Sequence, residues 1–253
     1  MKKFKLTSEF IVDISGVKLF RIKALIEFGN VKAGDLGGYI EKEENLSHMG
    51  NAWVFGNARV FGNARVSGDA RVFGNAWVSG NARVFGNAWV SGNAQVSGNA
   101  WVSGNAQVFG DARVFGNAWV SGNAQVFGDA RVSGNAQVFG NAQVFGDARV
   151  SGNAQVFGNA RVSGNARVSG DAQVFGDARV SGDKDYAYAH GFGSCNRTTT
   201  FFRLKDGDVG VRCGCFYGTL AQFRDNVCET HGETKKAQEY LMLADLMDFR
   251  FKN

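Results

Sequence analysis

Proline is absent from all 253 residues, histidine occurs three times, and the four cysteines all lie in the last quarter of the chain. A glycine-rich chain without proline is compatible with disorder, but the glycines here are strictly periodic, and periodicity argues for structure. The histidines are His48, His190 and His231, and none falls within residues 50–181, so that stretch offers neither an imidazole base nor a histidine ligand for a metal. Cys195, Cys213, Cys215 and Cys228 are too clustered to staple the whole chain and read as reduced thiols. No long uncharged apolar run and no signal-peptide pattern is present, so a soluble, cytoplasmic protein is expected. With 28 basic against 23 acidic residues, the charge permits an anionic partner without requiring one.

What the chain does have is a repeat. From Gly50 to Ser181 it reads Gly-(Asn/Asp)-Ala-(Trp/Arg/Gln)-Val-(Phe/Ser) in twenty-two hexads without an insertion. Alternate residues of an extended segment point to the same side. Ala52 and Val54 therefore face one way and Trp53 and Phe55 the other, and the same holds down to Ala178 and Val180. Each Gly-(Asn/Asp) pair interrupts the strand, because these residues tolerate the backbone conformation of a corner. Short strands with small inward side chains, separated by corners, describe a narrow coil.

This pattern resembles the hexapeptide-repeat proteins of the left-handed parallel β-helix family, over about half the chain. The resemblance implies three hexads per triangular coil, hence a little over seven coils and a prism roughly 35 Å long at the usual strand spacing. A right-handed solenoid with the same interior is the alternative. Because every inward residue is Ala or Val, slipping by a whole coil costs little inside. Register must then be set by the ends and by the outer residues.

The expected organisation is a β-rich cap with an irregular first coil over 1–49, the solenoid over 50–183 and a small α+β unit over 184–253. Within the cap, residues 1–33 read as β-rich, and Leu36, Ile40 and Leu46 mark the irregular coil. Beyond Asp183, Thr198 to Leu204 and Val209 to Cys213 read as a hairpin around Asp206-Gly207. Thr219 and Gln222 form a capping box for a helix with Leu220, Phe223 and Val227 on its apolar face, and a second helix is predicted from about Lys235 to Phe249. Three flank segments, Leu19-Phe-Arg-Ile-Lys-Ala-Leu, Gly34-Asp-Leu-Gly-Gly-Tyr-Ile and Cys213-Gly-Cys-Phe-Tyr-Gly-Thr-Leu, resemble uncharacterised phage and prophage proteins. That similarity implies a viral ancestry and, if phage-encoded, a place in the host cytoplasm.

With three hexads per coil, residues eighteen apart share a face. One face carries Phe109, Phe127 and Phe145 beside Gln107, Gln125 and Gln143. A second carries Phe139, Phe157 and Phe175 beside Gln137, Gln155 and Gln173, and the third carries Arg113, Arg131, Arg149 and Arg167. Trp53, Trp77, Trp89, Trp101 and Trp119 all take outward positions, and Trp101 and Trp119 are expected to stack on adjacent coils. Sixteen outward Trp and Phe in the repeats exceed what a lone prism exposes, which points to a contact surface, although ring stacking that stabilises the coil itself is the competing explanation. Nucleic acid is a weaker expectation. Five of the six repeat Asp share a hexad with an Arg (Asp69/Arg71, Asp111/Arg113, Asp129/Arg131, Asp147/Arg149, Asp177/Arg179), on one side of the strand, where the pairs are expected to neutralise each other.

Enzymes of the hexapeptide family are mostly acyltransferases, with some metal-dependent anhydrases, and the resemblance implies chemistry through histidines held between subunits. Lacking histidine in its repeats, this chain is not expected to share it, nor to need a cofactor. Cys213, Cys215, Cys228 and His231 are weak candidates for a zinc site, because Cys213 and Cys215 should face opposite sides of a strand; a Cys–His catalytic pair lacks an orienting third group. The reading is a non-enzymatic solenoid binding a macromolecular partner, a host or phage protein, through the Trp, Phe and Arg positions above. The alternative is a solenoid that assembles with itself, as trimers or filaments.

Overall fold

The computed structural model describes residues 2–193 and 197–252. Cys195 lies outside the described residues. Each hexad supplies one two-residue strand, from β4 (Trp53–Val54) to β25 (Arg179–Val180), with its Gly-(Asn/Asp) pair in the turn before it. Strands eighteen residues apart pair in parallel with valine opposite valine, as Val126 does with Val108 and Val144. Three hexads thus close one coil, and the molecule is a β-solenoid with three flat faces.

Face I begins with the hexad at Gly50 and is an eight-stranded parallel sheet. Face II begins at Gly56 and continues into the N-terminal strands β1 (Phe4–Val12), β2 (Lys18–Ala24) and β3 (Leu36–Ile40), making ten strands. Face III begins at Gly62 and has seven. The segment after Gly34 completes a coil of its own, since β3 pairs in parallel with the Arg59–Val60 strand and Leu46 bridges to Val66. About eight coils result, one more than the regular hexads alone supply.

Every repeat Ala and Val is sealed from solvent. At the corners the close approach of backbones excludes a side chain. Gly128 has φ +70°, and a Cβ there would lie 3.0 Å from the Gly146 nitrogen of the next coil. Register is read out on the surface, where like stacks on like. In the corner leading into face III, six amide-to-side-chain bonds run from Asn63 through Asn81, Asn99, Asn117, Asn135 and Asn153 to Asp171. Each Asn donates toward the C-terminus, so an Asp, which can only accept, suits the last rung.

The backbone bonds that flank each strand have the same polarity, while the strand's own valine N–H donates back to the preceding coil, as a parallel ladder requires. A flanking N–H of one coil donates to a carbonyl of the next, as Gln125 N does to Ala142 O at 2.9 Å and Phe127 N to Val144 O at 3.0 Å. An open solenoid end is therefore short mainly of donors at the N-terminus and mainly of acceptors at the C-terminus. The caps answer this end by end. At the N-terminus, Tyr39 N donates to Ala58 O on face II, the Asn45 side chain donates to Gly62 O and Ala64 O on face III, and the Lys3 ammonium donates to Gly50 O and Ala52 O on face I. At the C-terminus, Asp183 accepts from Arg167 N, Thr200 from Gln173 N, and Asp185 from Ser181 N and Gly182 N.

Burial lowers the Lys3 pKa to about 8, against a smaller opposing pull from Asp69. Between about 8 and the ordinary value of 10.5 the unfolded chain binds this proton and the folded chain does not, so folding stability gains with pH across that window. A Lys3→Met variant lacks this contribution. The difference in unfolding free energy between wild type and variant is expected to climb from pH 8 to 10.5, measured by denaturant titration; a flat difference would contradict the burial of Lys3.

The C-terminal unit is a four-stranded antiparallel sheet, β26 (Tyr186–Phe192), β27 (Arg197–Arg203), β28 (Val209–Cys213) and β29 (Phe216–Thr219), backed by α1 (Leu220–His231) and α2 (Lys235–Phe251). The hairpin and both helices match expectation, including the reciprocal Thr219/Gln222 cap. The outer strands β26 and β29 carry no strong sequence signal. Leu220, Phe223 and Val227 pack with Phe201, Val211, Tyr240 and Met247 in a second core. Among the described residues no helix is long and apolar enough to cross a membrane.

Candidate partner-binding faces

The outward positions fall into three physical classes. Phenylalanines stack ring on ring along the coils: Phe109–Phe127 at 4.8 Å and Phe127–Phe145 at 4.9 Å, each within 2° of parallel, and Phe139–Phe157 at 4.9 Å. These rings are half-buried by one another, and Gln125 and Gln143 run a parallel amide ladder beside the first set. Their first role is to fix the eighteen-residue register, since an out-of-step coil would lose both ladders.

Two expected contact residues are taken up inside the molecule. Trp53 is only 1% exposed: the N-terminal cap folds over the first hexad, and Phe4 and Phe28 meet its indole edge-on at 6.2 and 5.3 Å. It is a core residue of the cap, because the last outward position before a solenoid end serves as the floor on which the cap packs. Phe175 occupies the same situation at the other end. Tyr217 meets it edge-on at 4.6 Å and the Arg212 guanidinium lies 5.4 Å from its ring centre, so the C-terminal unit covers it.

Tryptophans in the middle coils follow a rule that alternation alone does not reveal. An Arg-Val-Phe hexad lies one coil before a Trp-Val-Ser hexad three times over. Arg59 and Phe61 contact Trp77, Arg71 and Phe73 contact Trp89, and Arg83 and Phe85 contact Trp101. The guanidinium lies 5.2–5.7 Å from the ring centre and the phenyl meets the indole edge-on. Trp101 and Trp119, on adjacent coils, meet edge-on at 6.2 Å rather than stacking, and the Trp119 indole N–H donates to Ser103. Even so, Trp89, Trp101 and Trp119 remain 41%, 39% and 43% exposed.

The Asp and Arg of a shared hexad do not form ion pairs. Among the described residues no repeat Asp lies within 4.0 Å of a repeat Arg side-chain nitrogen. Asp sits on the corner, where Asp69, Asp111, Asp171 and Asp177 accept from the Asn one coil earlier, while Arg lies on the flat of the face. Sharing a side of the strand is not enough when a corner separates the two directions. Arg113, Arg131, Arg149 and Arg167 occupy consecutive rungs of face II and are exposed.

A cavity opens on face III beneath the N-terminal cap. It measures about 670 Å³, and its walls are Glu43, Glu44 and His48 from the cap, Arg65, Arg83 and Phe85 from the first regular coils, and Trp101. Arg65 and Arg83 are cross-strand partners with no carboxylate within 4.0 Å among the described residues. Glu43 is engaged instead by Lys2 at 2.9 Å, whose hydrogen bond holds its carboxyl below the ordinary range. His48 stacks on Phe4 at 4.3 Å and accepts from Lys3 N. Sequence reasoning could not place this cleft, because the cap segment that overhangs Arg65 has no repeat from which to extrapolate.

The weak metal candidates do not converge. The Cys213 thiol lies between the Thr199 hydroxyl, which donates to it at 3.2 Å, and the Tyr240 hydroxyl at 3.8 Å. Cys215 is exposed beyond the end of β28, Cys228 is exposed on α1, and His231 stacks on Tyr240. No group of three or more His, Cys, Asp or Glu among the described residues is arranged to hold a metal ion.

A repeat model recognises the same region. The YdcK β-solenoid repeat matches residues 64–80, 76–92, 94–108, 106–122, 124–140, 136–152, 142–156 and 154–170. The solenoid is similar to that repeat family. Successive matches begin 6, 12 or 18 residues apart, always at the alanine of a hexad, so the similarity follows the same register as the strand pairing. A search of curated proteins found no match.

Proposed function

We propose that the chain is a non-enzymatic binding solenoid that holds a protein partner against face III. The observation that carries this reading is the coincidence on one face of a 670 Å³ cavity, two arginines without a carboxylate partner among the described residues and the two adjacent exposed tryptophans. Trp and Arg are the residue types that most often dominate protein interfaces, because each offers large area together with a polar handle. Glu44 and Arg65 at the rim supply charge of both signs for orientation. The flat, regular face gives a rigid platform, so little entropy is lost on docking. The flank resemblance to phage proteins suggests the partner class, a protein of the host cytoplasm that an accessory factor engages and blocks. Support for a non-catalytic role is chemical. The three histidines lie outside the repeats that build the faces.

A Trp101→Ser/Trp119→Ser double variant tests the reading. Both positions are outward, and serine already follows each tryptophan's valine, so the coil is expected to stay folded by circular dichroism. Affinity for a protein captured from host lysate should fall roughly 30-fold or more, as loss of hot-spot residues predicts. Unchanged affinity, or equal loss from a Phe109→Ser/Phe127→Ser variant on face I alone, would place the contact elsewhere.

A further inference from the structure

Face II and the corner leading into it carry a pair of columns that the isolated chain leaves unsatisfied. The corner leading into face III is an unbroken amide ladder, as described above. The corner leading into face II is different: after Asn75 and Asn93 it places Asp111, Asp129 and Asp147 on three successive rungs. Asp111 accepts from Asn93, but an Asp cannot donate onward, so the ladder stops there. The Asp129 and Asp147 carboxylates receive no hydrogen bond and no cation within 4.0 Å among the described residues. Two residues further on, Arg113, Arg131 and Arg149 stand directly opposite one another in register and likewise lack a carboxylate. Like charges on neighbouring rungs repel, at a spacing of roughly 4.8 Å. The chain therefore gives up ladder bonds and accepts repulsion in two adjacent columns of opposite sign.

We propose that this stripe is a self-association surface and that its occupant is a second copy of the chain, aligned parallel and related by a two-fold axis along the solenoid. An occupant that neutralises both columns must present a cationic column against the aspartates and an anionic column against the arginines, side by side and at the same rise. A chain with the same repeat does this. The symmetry follows from the geometry. A two-fold axis parallel to the solenoid exchanges the left and right columns while keeping each rung at its height, so Asp111 meets Arg113 of the partner subunit, Asp129 meets Arg131 of the partner subunit and Asp147 meets Arg149 of the partner subunit, each reciprocally. An axis perpendicular to the solenoid would set aspartate on aspartate.

Two further features fit. The sixth positions of the Arg131 and Arg149 hexads are Ser133 and Ser151, small enough for two faces to approach. At the N-terminal end of the stripe Phe115 is 39% exposed and stacks on no ring among the described residues, unlike the laddered phenylalanines, so apposition would bury it. The surface is separate from face III, and the inference stands or falls independently of the partner reading above.

The test is the mass of the purified full chain by light scattering and sedimentation, over a concentration series at low and high salt. A dimer that weakens as salt rises is expected. The decisive variant is Asp111→Asn/Asp129→Asn/Asp147→Asn. It removes the anionic column while allowing the amide ladder to continue, so folding is expected to be at least as stable as in wild type, and dimer affinity should fall at least 10-fold. Charge reversal gives the second arm. Asp111→Arg/Asp129→Arg/Asp147→Arg and Arg113→Asp/Arg131→Asp/Arg149→Asp should each be monomeric alone and form a heterodimer when mixed. A wild-type monomer at all concentrations, a trimer, or a dimer indifferent to the Asn variant would overturn the proposal. Capture of a face III partner by the Asn variant should be preserved as a contact, which separates failure of this inference from failure of the other.

Discussion

Replacing Val126 with aspartate is expected to break the solenoid in two. Val126 is fully buried in the thirteenth hexad, and its strand partners are Val108 and Val144. The regular coils contain only alanine and valine inside, so a carboxylate there would find no side-chain donor at any rotamer. Protonation would relieve the charge but leave a polar group unpartnered, and the loss is expected to be on the order of 4 kcal/mol or more. The position within the repeat array matters as much as the chemistry. A solenoid holds together by nearest-neighbour contacts, so a defect in a central coil removes two interfaces. Limited proteolysis of Val126→Asp should therefore cut near the middle and yield two large fragments, with a clear drop in Tm. The same substitution at Val180, in the last hexad, should fray only the C-terminal end. Equal melting of Val126→Asp and wild type would mean that the interior is not the closed aliphatic column described.

The second large effect is expected at the C-terminal cap. The Asp185 carboxylate accepts from Ser181 N at 2.9 Å, the Ser181 hydroxyl at 2.6 Å and Gly182 N at 3.0 Å. Burial raises its pKa, but the bonds from Ser181 and Gly182 outweigh that and bring it below the ordinary 3.8. Asp185→Ala leaves those groups without an acceptor at the end where the ladder polarity already strands its N–H groups. A loss of roughly 3 kcal/mol follows from removing charge-assisted bonds to partly buried donors. Amide exchange should speed up at Ser181 and Gly182 and stay slow at Val126. Because the folded pKa lies below the unfolded one, the stabilisation is present above about pH 4 and disappears as pH falls through the folded value. The gap between wild type and Asp185→Ala should therefore close in acid. A gap that persists unchanged at low pH would show that the carboxylate's charge is not what holds the end.

These two experiments probe the two unequal halves of what the sequence discloses. The interior was legible because strand alternation has a period of two and the corner residues have a period of six, so Ala124 and Val126 could face only inward. The faces were legible for the same reason: Phe109, Phe127 and Phe145 had to fall in one column once three hexads closed a coil. The C-terminal hairpin and helices carried local signals, the Asp206-Gly207 turn and the Thr219/Gln222 cap. The caps that seal the solenoid carried none. Lys3, Asn45, Asp183 and Thr200 act through contacts with residues 16 to 49 positions away, and no local pattern marks a side chain that substitutes for a missing rung. The cleft over Arg65 and Arg83 is hidden for the same reason, as are the burial of Trp53 and the covering of Phe175.

By itself, then, the sequence determined a narrow aliphatic coil, its face-by-face columns and the absence of histidine chemistry on them, since each is a property of a short repeat obeying fixed backbone geometry. Tertiary structure alone decided which outward rings remain open, that shared-hexad Asp and Arg stay apart, and how the ends are closed. Those outcomes depend on which way a corner turns a side chain and on what the non-repeating ends lay across the last coils, and neither is written in the period of six.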